Sequence, residues 1–458
     1  MKKHKVLVGT FLLLCTFFVN AQKRYELTVK EAVDLAYKNV VELKNAQLDY
    51  KIQEAKNKEI FGQALPQING SVSASYYLQL PQVLFPQSDQ NVYDVLVREG
   101  LLPVGTKAPA PVLVPFSFQQ PWNLSAGATL NQLLFQPDVF VGLQARQTSL
   151  NYNQALIEQS KEKIKDSAYN RYYAILIAQK QLYFLNESLL RLAKLYHDDS
   201  LMFINGFAEK LDLDKVQVQL NNLKTTETVV QNAVGIGYAA MKFSLGISQK
   251  DTVVLKDDLS TETIKAGILD ESFAYENRAE VRILNQLEKL QKLDIKRYKL
   301  GYLPTVSAIA NYGVSGQGQK FFTNPNTIWF TSAYVGLSVN VPIFNGFQRK
   351  YKIQESEYTL QKVNNTLDFT KQAIDFEQVA NKESLKNSLL NLDMQERNQL
   401  LAERVYNATK LKFEQGLGSS FEVLQADTEY QTAQSNYFNA LYNATVARIS
   451  YLYSLGKL

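Results

Sequence analysis

The sequence predicts an α+β membrane protein in which a long antiparallel helical coiled-coil barrel is continuous with a transmembrane β-barrel. Three observations carry that prediction. Short segments alternating apolar with small uncharged residues occur in pairs; each pair precedes a run free of glycine and proline, 143–205 and 347–415; and the two halves of the chain align without gaps.

The chain opens with Met1-Lys2-Lys3-His4-Lys5, an apolar stretch Val6–Val19, and small side chains at Val19 and Ala21. That is the pattern of a secretory signal peptide, residues 1–21, cut after Ala21. The only cysteine, Cys15, lies inside it, and Leu12-Leu13-Leu14 before it lack the small residue a lipid-anchor site wants. Removing Lys2, Lys3 and Lys5 takes the 49 basic residues to 46 against 44 acidic ones, a balance without a nucleic-acid footprint. With no cysteine and only His197 left, thiol catalysis, disulfides and His/Cys metal sites have no residues to work with, so no cofactor is expected. No later run reaches the eighteen or so apolar residues of a spanning helix. Such an exported chain is soluble, or it meets the membrane as strands.

Aligning Ala36-Tyr37-Lys38-Asn39 with Ala274-Tyr275-Glu276-Asn277 brings Leu65-Pro66 onto Leu303-Pro304, an offset of 238. A second register, offset 210, superposes Phe203, Gly206, Asp212 and Ser244-Leu245-Gly246 on Phe413, Gly416, Glu422 and Ser454-Leu455-Gly456. Matching landmarks in two registers imply a duplicated unit. The halves are 22–246 and 269–458, joined by a polar linker, 247–268.

Each half begins with a helix, Thr28–Phe61 or Leu269–Leu300, stopped by Leu-Pro. The first strand of the first half, Ile68–Leu80, alternates Ile68, Val72, Ala74 and Tyr76 with Asn69, Ser71, Ser73 and Ser75, and Leu124–Asn131 follows the same rule. In the second half Val306, Ala308, Ala310 and Tyr312 alternate less cleanly, because Ile309 falls on the other face, whereas Ala333–Val341 alternates throughout. Alternation alone describes any half-buried sheet. Here the polar face is small and uncharged and the segments have about the 9–11 residues a tilted membrane strand needs, which favours a barrel. Four strands cannot close one, and an open edge is not tolerated in lipid, so several chains must contribute.

The loop Pro81–Gln120 is long and proline-rich, and Ser315–Ile328 is short. Gly313–Gly318 with Lys320 has a glycine spacing suggestive of a phosphate loop. It lacks the Gly-Lys-Ser/Thr ending and no helix follows, so a hairpin loop is expected. Beyond the strands, Leu143, Leu150, Ile157 and Ile164 recur at sevens, and Ile353, Leu360, Val363, Leu367 and Ile374 at seven, three, four and seven, as in coiled-coil seams. The second run, about 100 Å as one helix at 1.5 Å per residue, exceeds any compact domain. Glycine ends both runs, at Asn205-Gly206-Phe207-Ala208 and Gln415-Gly416-Leu417-Gly418, where a tight return is expected. In Val341-Pro342-Ile343-Phe344-Asn345-Gly346-Phe347 the period changes from two to helical. Pro342 lacks the amide that would continue a ladder and Asn345 is suited to cap the next helix. Phe135-Gln136-Pro137 is the first-half counterpart.

Together the duplication, the two Leu-Pro strand entries, Pro342-Ile343-Phe344-Asn345-Gly346 and the segment Phe413–Ala426 resemble the outer-membrane efflux proteins of TolC type. The resemblance covers essentially the whole mature chain. It implies a homotrimer with four strands per chain in a twelve-stranded outer-membrane barrel, and a helical tunnel through the periplasm. It further implies a passive exit duct of a tripartite efflux or type I secretion system for small molecules or proteins, docking a periplasmic adaptor and, through it, an inner-membrane transporter of RND, ABC or MFS type. By the resemblance the glycine tips are the adaptor-docking sites, and Pro342, Phe344, Asn345, Gly346, Phe135 and Pro137 mark the barrel–tunnel junction. Asp212 and Glu422 stand where relatives place an acid near the periplasmic constriction, and Gln425 where a second acid often sits. Without the resemblance, an acid in a first helical turn is ordinarily a dipole partner. Asp198-Asp199 and Asp257-Asp258 have no partners at metal-ligand spacing and are expected to face solvent.

The alternative from another class is a trimeric surface-anchored coiled coil or adhesin. It needs one anchor at one end, whereas the strand pairs recur in both halves between helices. An enzyme finds no nucleophile or metal constellation here.

Overall fold

The computed structural model describes residues 23–258, 264–265, 272–320 and 328–458. The expected signal peptide, linker residues 259–263 and 266–268 and the loop segment 321–327 lie outside the described residues. In chain order the elements are β1 (Arg24–Leu27), α1 (Val29–Asn39), α2 (Val41–Gln63), β2 (Gln67–Tyr76), β3 (Val83–Gln87), α3 (Gln90–Arg98), β4 (Val112–Phe116), β5 (Trp122–Phe135) and α4 (Pro137–Ile204). There follow α5 (Lys210–Ser244), β6 (Thr252–Leu255), a 3-10 turn (Tyr275–Asn277), α6 (Ala279–Leu300), β7 (Thr305–Gly318), β8 (Ile328–Asn340), α7 (Gln348–Glu414) and α8 (Ser420–Ser454). They form two compact units, each drawing on both halves of the sequence. One unit comprises 55–146 and 292–358, the other the residues up to Glu54 with 147–291 and 359–458.

The sheet unit is built on a four-stranded antiparallel sheet ordered β2-β5-β7-β8. Its register places apolar positions opposite apolar ones across every ladder: Ile68 faces Leu130, Leu130 faces Ala310, and Ala310 faces Val335. Paired residues in an antiparallel ladder point to one side, so four separate alternating segments sum to one continuous apolar face. The opposite face carries Asn69, Ser71, Ser73, Ser125, Thr129, Asn311, Ser315 and Ser338. Ser73 and Ser125 hydroxyls lie 2.7 Å apart across it, and Asn311 Nδ2 donates to Thr129 Oγ1 at 2.8 Å. Ile309, which breaks the alternation, sits on this polar face between Asn131 of β5 and Gly336 of β8, the second of which leaves it room.

Three expectations in this unit are corrected. Gly313–Gly318 is not a loop but the end of β7, paired with β5 on one side and β8 on the other. Glycine there admits close neighbours: the Trp329 ring lies over Gly316, about 3.0 Å from where a Cβ would stand. The first strand ends at Tyr76 rather than Leu80. And the long proline-rich loop 81–120 carries elements of its own, for β3 and β4 pair as a separate ribbon around the short helix α3.

In the helical unit the expected single helix Thr28–Phe61 is two. Val40 turns to ψ 127 between α1 and α2 although no glycine or proline is present. Gly246 packs at this break so closely that a Cβ on it would stand 2.9 Å from Asn39 Cβ and 3.0 Å from the Asn39 carbonyl carbon. Thr28 and Glu31 close a capping box on α1. β1 and β6 pair in parallel below it. Tyr172, fully buried, donates to the Leu27 carbonyl at 2.9 Å and accepts from the Asp257 amide at 3.1 Å. Burial, chiefly, pushes its hydroxyl up to about 12. Asp257 therefore does not simply face solvent: it accepts from the Val29 amide at 2.8 Å, and Asp258 pairs with Lys180 at 2.6 Å. Along the long helices Ile157, Ile164, Val363, Leu367 and Ile374 of the expected seams are buried, while Leu143, Leu150, Ile353 and Leu360 are half-buried in the single chain.

Candidate functional site

No residue of β2, β5, β7 or β8 is charged. The apolar face is nonetheless open, with Val335 85% and Val72 78% exposed. Both tryptophans of the chain, Trp122 and Trp329, lie at the same end of the sheet, where Trp122 meets Tyr76 at 5.0 Å between ring centres. At the other end Phe135 meets Phe140 at 5.5 Å and Phe344 meets Phe347 at 5.5 Å. An apolar band flanked by aromatics at both ends matches the requirement of a lipid-facing surface. The sheet is open within the chain, and β2 and β8 are its edges.

The junction residues fall at element ends. Phe135 closes β5 beyond an irregular register at Leu133/Phe135, and Pro137 is the first residue of α4, where a missing amide costs nothing. Pro342 follows β8 directly after Val341. Asn345 does not cap α7 with its side chain as expected. Its carbonyl accepts from the Gln348 amide at 3.2 Å, while Gly346 and Phe347 both take positive φ, 60° and 62°. A left-handed phenylalanine stores about 1–3 kcal/mol of backbone strain, a sign that the turn is imposed by what it connects.

The glycine tips are geometric twins. At the first, Phe207 donates to Met202 O at 2.8 Å and Gly206 to Phe203 O at 3.0 Å; at the second, Leu417 donates to Lys412 O and Gly416 to Phe413 O, both at 2.9 Å. With φ of 80° and 76° the two glycines close Schellman motifs. Around them Asn205 Nδ2 donates to Leu201 O, Ala208 and Gly418 lie in the return, Gln415 donates from its amide to Leu411 O, and Phe207 and Leu417 project outward.

Beyond each tip the candidate acids stand in a first helical turn. Asp212 is held by Lys215 at 3.0 Å, and Glu422 by Lys412 at 3.0 Å while its amide donates to Ser419 Oγ. Lys215 also lies 4.8 Å from the Phe421 ring, which ties the starts of α5 and α8 together. Gln425 donates to Glu429 at 3.2 Å.

Two acids nearby were not legible as important. Asp199, expected in solvent, has no exposed surface. Burial pushes its carboxyl above the ordinary range; the Ser420 hydroxyl opposes the shift, and Asp212 and Asp198 add to it. Asp427 is 2% exposed and pairs with Arg191 Nε at 3.0 Å; Arg191 Nη2 also donates to Ser188 Oγ at 2.6 Å. The guanidinium sits 5.4 Å from the Tyr406 ring and 5.2 Å from the Tyr430 ring, and Gln431 donates to the second Asp427 oxygen. Burial raises the Asp427 carboxyl despite the opposing Arg191 charge. Asp427 ties α4 to α8, a pairing that helical spacing within either run does not reveal. Among the described residues no group of three or more His, Cys, Asp or Glu side chains could hold a metal.

Residues 277–457 match the family model described as "Outer membrane efflux protein". Outer membrane protein TolC of Vibrio cholerae serotype O1 is 20% identical over 341 residues, 73% of this chain and 77% of that protein. The Campylobacter jejuni CmeC outer membrane channel superposes with a TM-score of 0.72 at 14% identity, covering 94% of this chain and 85% of that one. The Vibrio cholerae outer membrane protein VceC does so with a TM-score of 0.68 at 12% identity, over 93% and 96%.

Proposed function

We propose that this chain, a member of the TolC-type outer-membrane efflux protein family, is a homotrimeric outer-membrane exit duct that passes cargo passively across the periplasm and outer membrane. The observation that carries the reading is the uncharged four-stranded sheet with one apolar face and two open edges. In lipid every backbone donor must be satisfied, so β2 of one copy must pair with β8 of another until the ring closes. Three copies give twelve strands. Two tandem efflux repeats, 22–246 and 269–458 about the linker 247–268, would follow an exported signal peptide.

The twin tips are the proposed docking points for a periplasmic adaptor, and through it an inner-membrane transporter supplies the energy. Asp212 and Glu422 are proposed to line the periplasmic constriction. Their lysine partners lower the field they present, and neutral Gln425 adds none, so selection by charge is weak. A duct without charge along its strands accepts what its pump delivers, whether small molecules or protein.

Purification from outer membranes tests this. A heat- and detergent-resistant trimer that conducts in planar bilayers, and loss of export when Gly206 and Gly416 are altered, are the expected results. Recovery of a soluble periplasmic monomer overturns the proposal.

A further inference from the structure

Where α6 ends and α7 begins, the sheet unit holds a hollow of about 620 Å³ with Arg297, Arg349, Lys352 and Asp138 in its wall, completed by Tyr298, Gly301, Asn345 and Gln348. A smaller hollow at the same end of the sheet, about 330 Å³, is lined by side chains such as Gln63, Asn131, Gln136 and Ser307 and has no charged residue in its wall. Charge is therefore a property of the first hollow and not of this end of the sheet as a whole.

Arg349 is held in place without being neutralised. Gly301 leaves the room for it: a Cβ there would stand 3.1 Å from Arg349 Nε and 3.4 Å from its Cζ. The guanidinium lies 5.2 Å from the Tyr302 ring, its Nη1 is buried without a hydrogen-bond partner, and no carboxylate among the described residues pairs with it. A guanidinium packed in this way without an anion carries an unmet desolvation cost. Asp138, in the first turn of α4, is exposed and also lacks an ion pair among the described residues.

The other two cations have partners they can leave. Arg297 pairs with Asp294 and Lys352 with Glu355, each at 2.9 Å and three positions away on the same helix, and all four side chains are partly exposed. Exposed pairs of this kind contribute little and yield to a better-placed anion. Both cations lie beside Tyr298, Arg297 at 4.7 Å and Lys352 at 5.9 Å from its ring, and Arg297 also donates to the Tyr298 hydroxyl at 2.8 Å. The hollow thus offers an anion one unpaired guanidinium with two further cations to turn towards it, and offers a cation one unpaired carboxylate.

We propose that this hollow binds the headgroup of a zwitterionic phospholipid of phosphoethanolamine type, its phosphate taken by Arg349 with Arg297 and Lys352 and its ammonium by Asp138. A lipid rather than a free phosphate is the occupant because the hollow borders the apolar rim: Ile343 and Phe344, immediately before Asn345, are 93% and 75% exposed and can take the acyl chains. A basic pocket with tyrosines around it, just beyond an apolar band, stands at the level of the headgroups. The inference rests on the membrane reading above.

Native mass spectrometry of the detergent-purified protein tests this, with short-chain phosphatidylethanolamine, short-chain phosphatidylglycerol or inorganic phosphate added. The expected result is tighter binding of phosphatidylethanolamine than of phosphatidylglycerol, weakened about tenfold by R349Q, with the preference lost in D138N. K352Q, which leaves the packing on Gly301 intact, should weaken binding in the same direction. Equal binding of the two lipids by the unaltered chain overturns the zwitterion assignment, and displacement of the lipid by inorganic phosphate overturns a lipid as the occupant. A trimer whose lipid binding is the same in every variant overturns the site and leaves the duct reading standing. A monomer that takes up no lipid overturns both.

Discussion

Replacing Arg191 by Met removes one half of a pair whose other half cannot reach water. The Asp427 side chain is 3% exposed and that of Arg191 23%. Breaking a buried pair from one side costs about 3–5 kcal/mol, and two ring contacts worth about 0.5–2 kcal/mol each at such sites go with it. The upper end is not reached, because Asp427 can take up a proton, a change burial already favours. We expect about 3 kcal/mol for R191M, about 2 kcal/mol for D427L, and a double variant R191M/D427L less destabilised than R191M alone, a coupling on the order of 3 kcal/mol. The assay is guanidinium unfolding of the detergent-solubilised protein, followed by near-ultraviolet circular dichroism of the tyrosines around the guanidinium. The sign with pH follows from the raised carboxyl. A group whose folded pKa lies above its unfolded value, about 3.9 for aspartate, contributes stability in acid that is lost as pH rises through the folded value. The penalty of R191M should therefore shrink towards acid and grow towards neutrality. Additivity of the single variants within about 0.5 kcal/mol would refute the coupling.

By the same sign, Asp199 should make the folded state more stable in acid than above its raised pKa, and D199N should flatten that part of a thermal-unfolding profile against pH; an unchanged slope speaks against burial as the cause. Gly456→Ala should lower the melting temperature more than Gly416→Ala. Both adopt positive φ, costing about 1–2 kcal/mol for a side chain, but only Gly456 would also drive a Cβ to 2.7 Å from Asn277 O; equal shifts would show that the contact relaxes freely. Val335→Arg, on the apolar face, should reduce membrane insertion by about 2–4 kcal/mol at mid-bilayer, whereas Ser338→Arg, on the other face, should be tolerated; equal loss in a refolding assay would mean the faces are misassigned. Pro342→Ala should lower trimer yield by extending the edge strand β8, and normal yield refutes a role in the turn.

The strand faces were legible because period two is local: the alternation of Ile68–Tyr76 and Ala333–Val339 needs no knowledge of a partner strand. The tips were legible too, since glycine followed by a polar helix start encodes a Schellman return by itself, and Gly206 and Gly416 both make it. The break at Val40 was not, for Asn39-Val40-Val41 are weak helix formers but hold no breaker, and Gly246, which packs against Asn39, stands two hundred residues away. Nor was the end of β7: glycines at 313, 316 and 318 read as a loop until Trp329 covers one of them.

Among the acids the division is sharpest. The family resemblance marked Asp212 and Glu422, whose place in a first helical turn by itself reads only as that of a dipole partner. Sequence position misplaced Asp199 in solvent and passed over Asp427, since burial depends on which helix lies opposite. α4 and α8 are brought together by the tertiary fold, and only there do Asp199 find Ser420 and Asp427 find Arg191. What the chain's own pattern determined about this protein is its elements and their apolar faces, whose periods arise within a few residues of backbone. Which faces meet, and therefore which charges are buried, was decided by contacts between segments hundreds of residues apart.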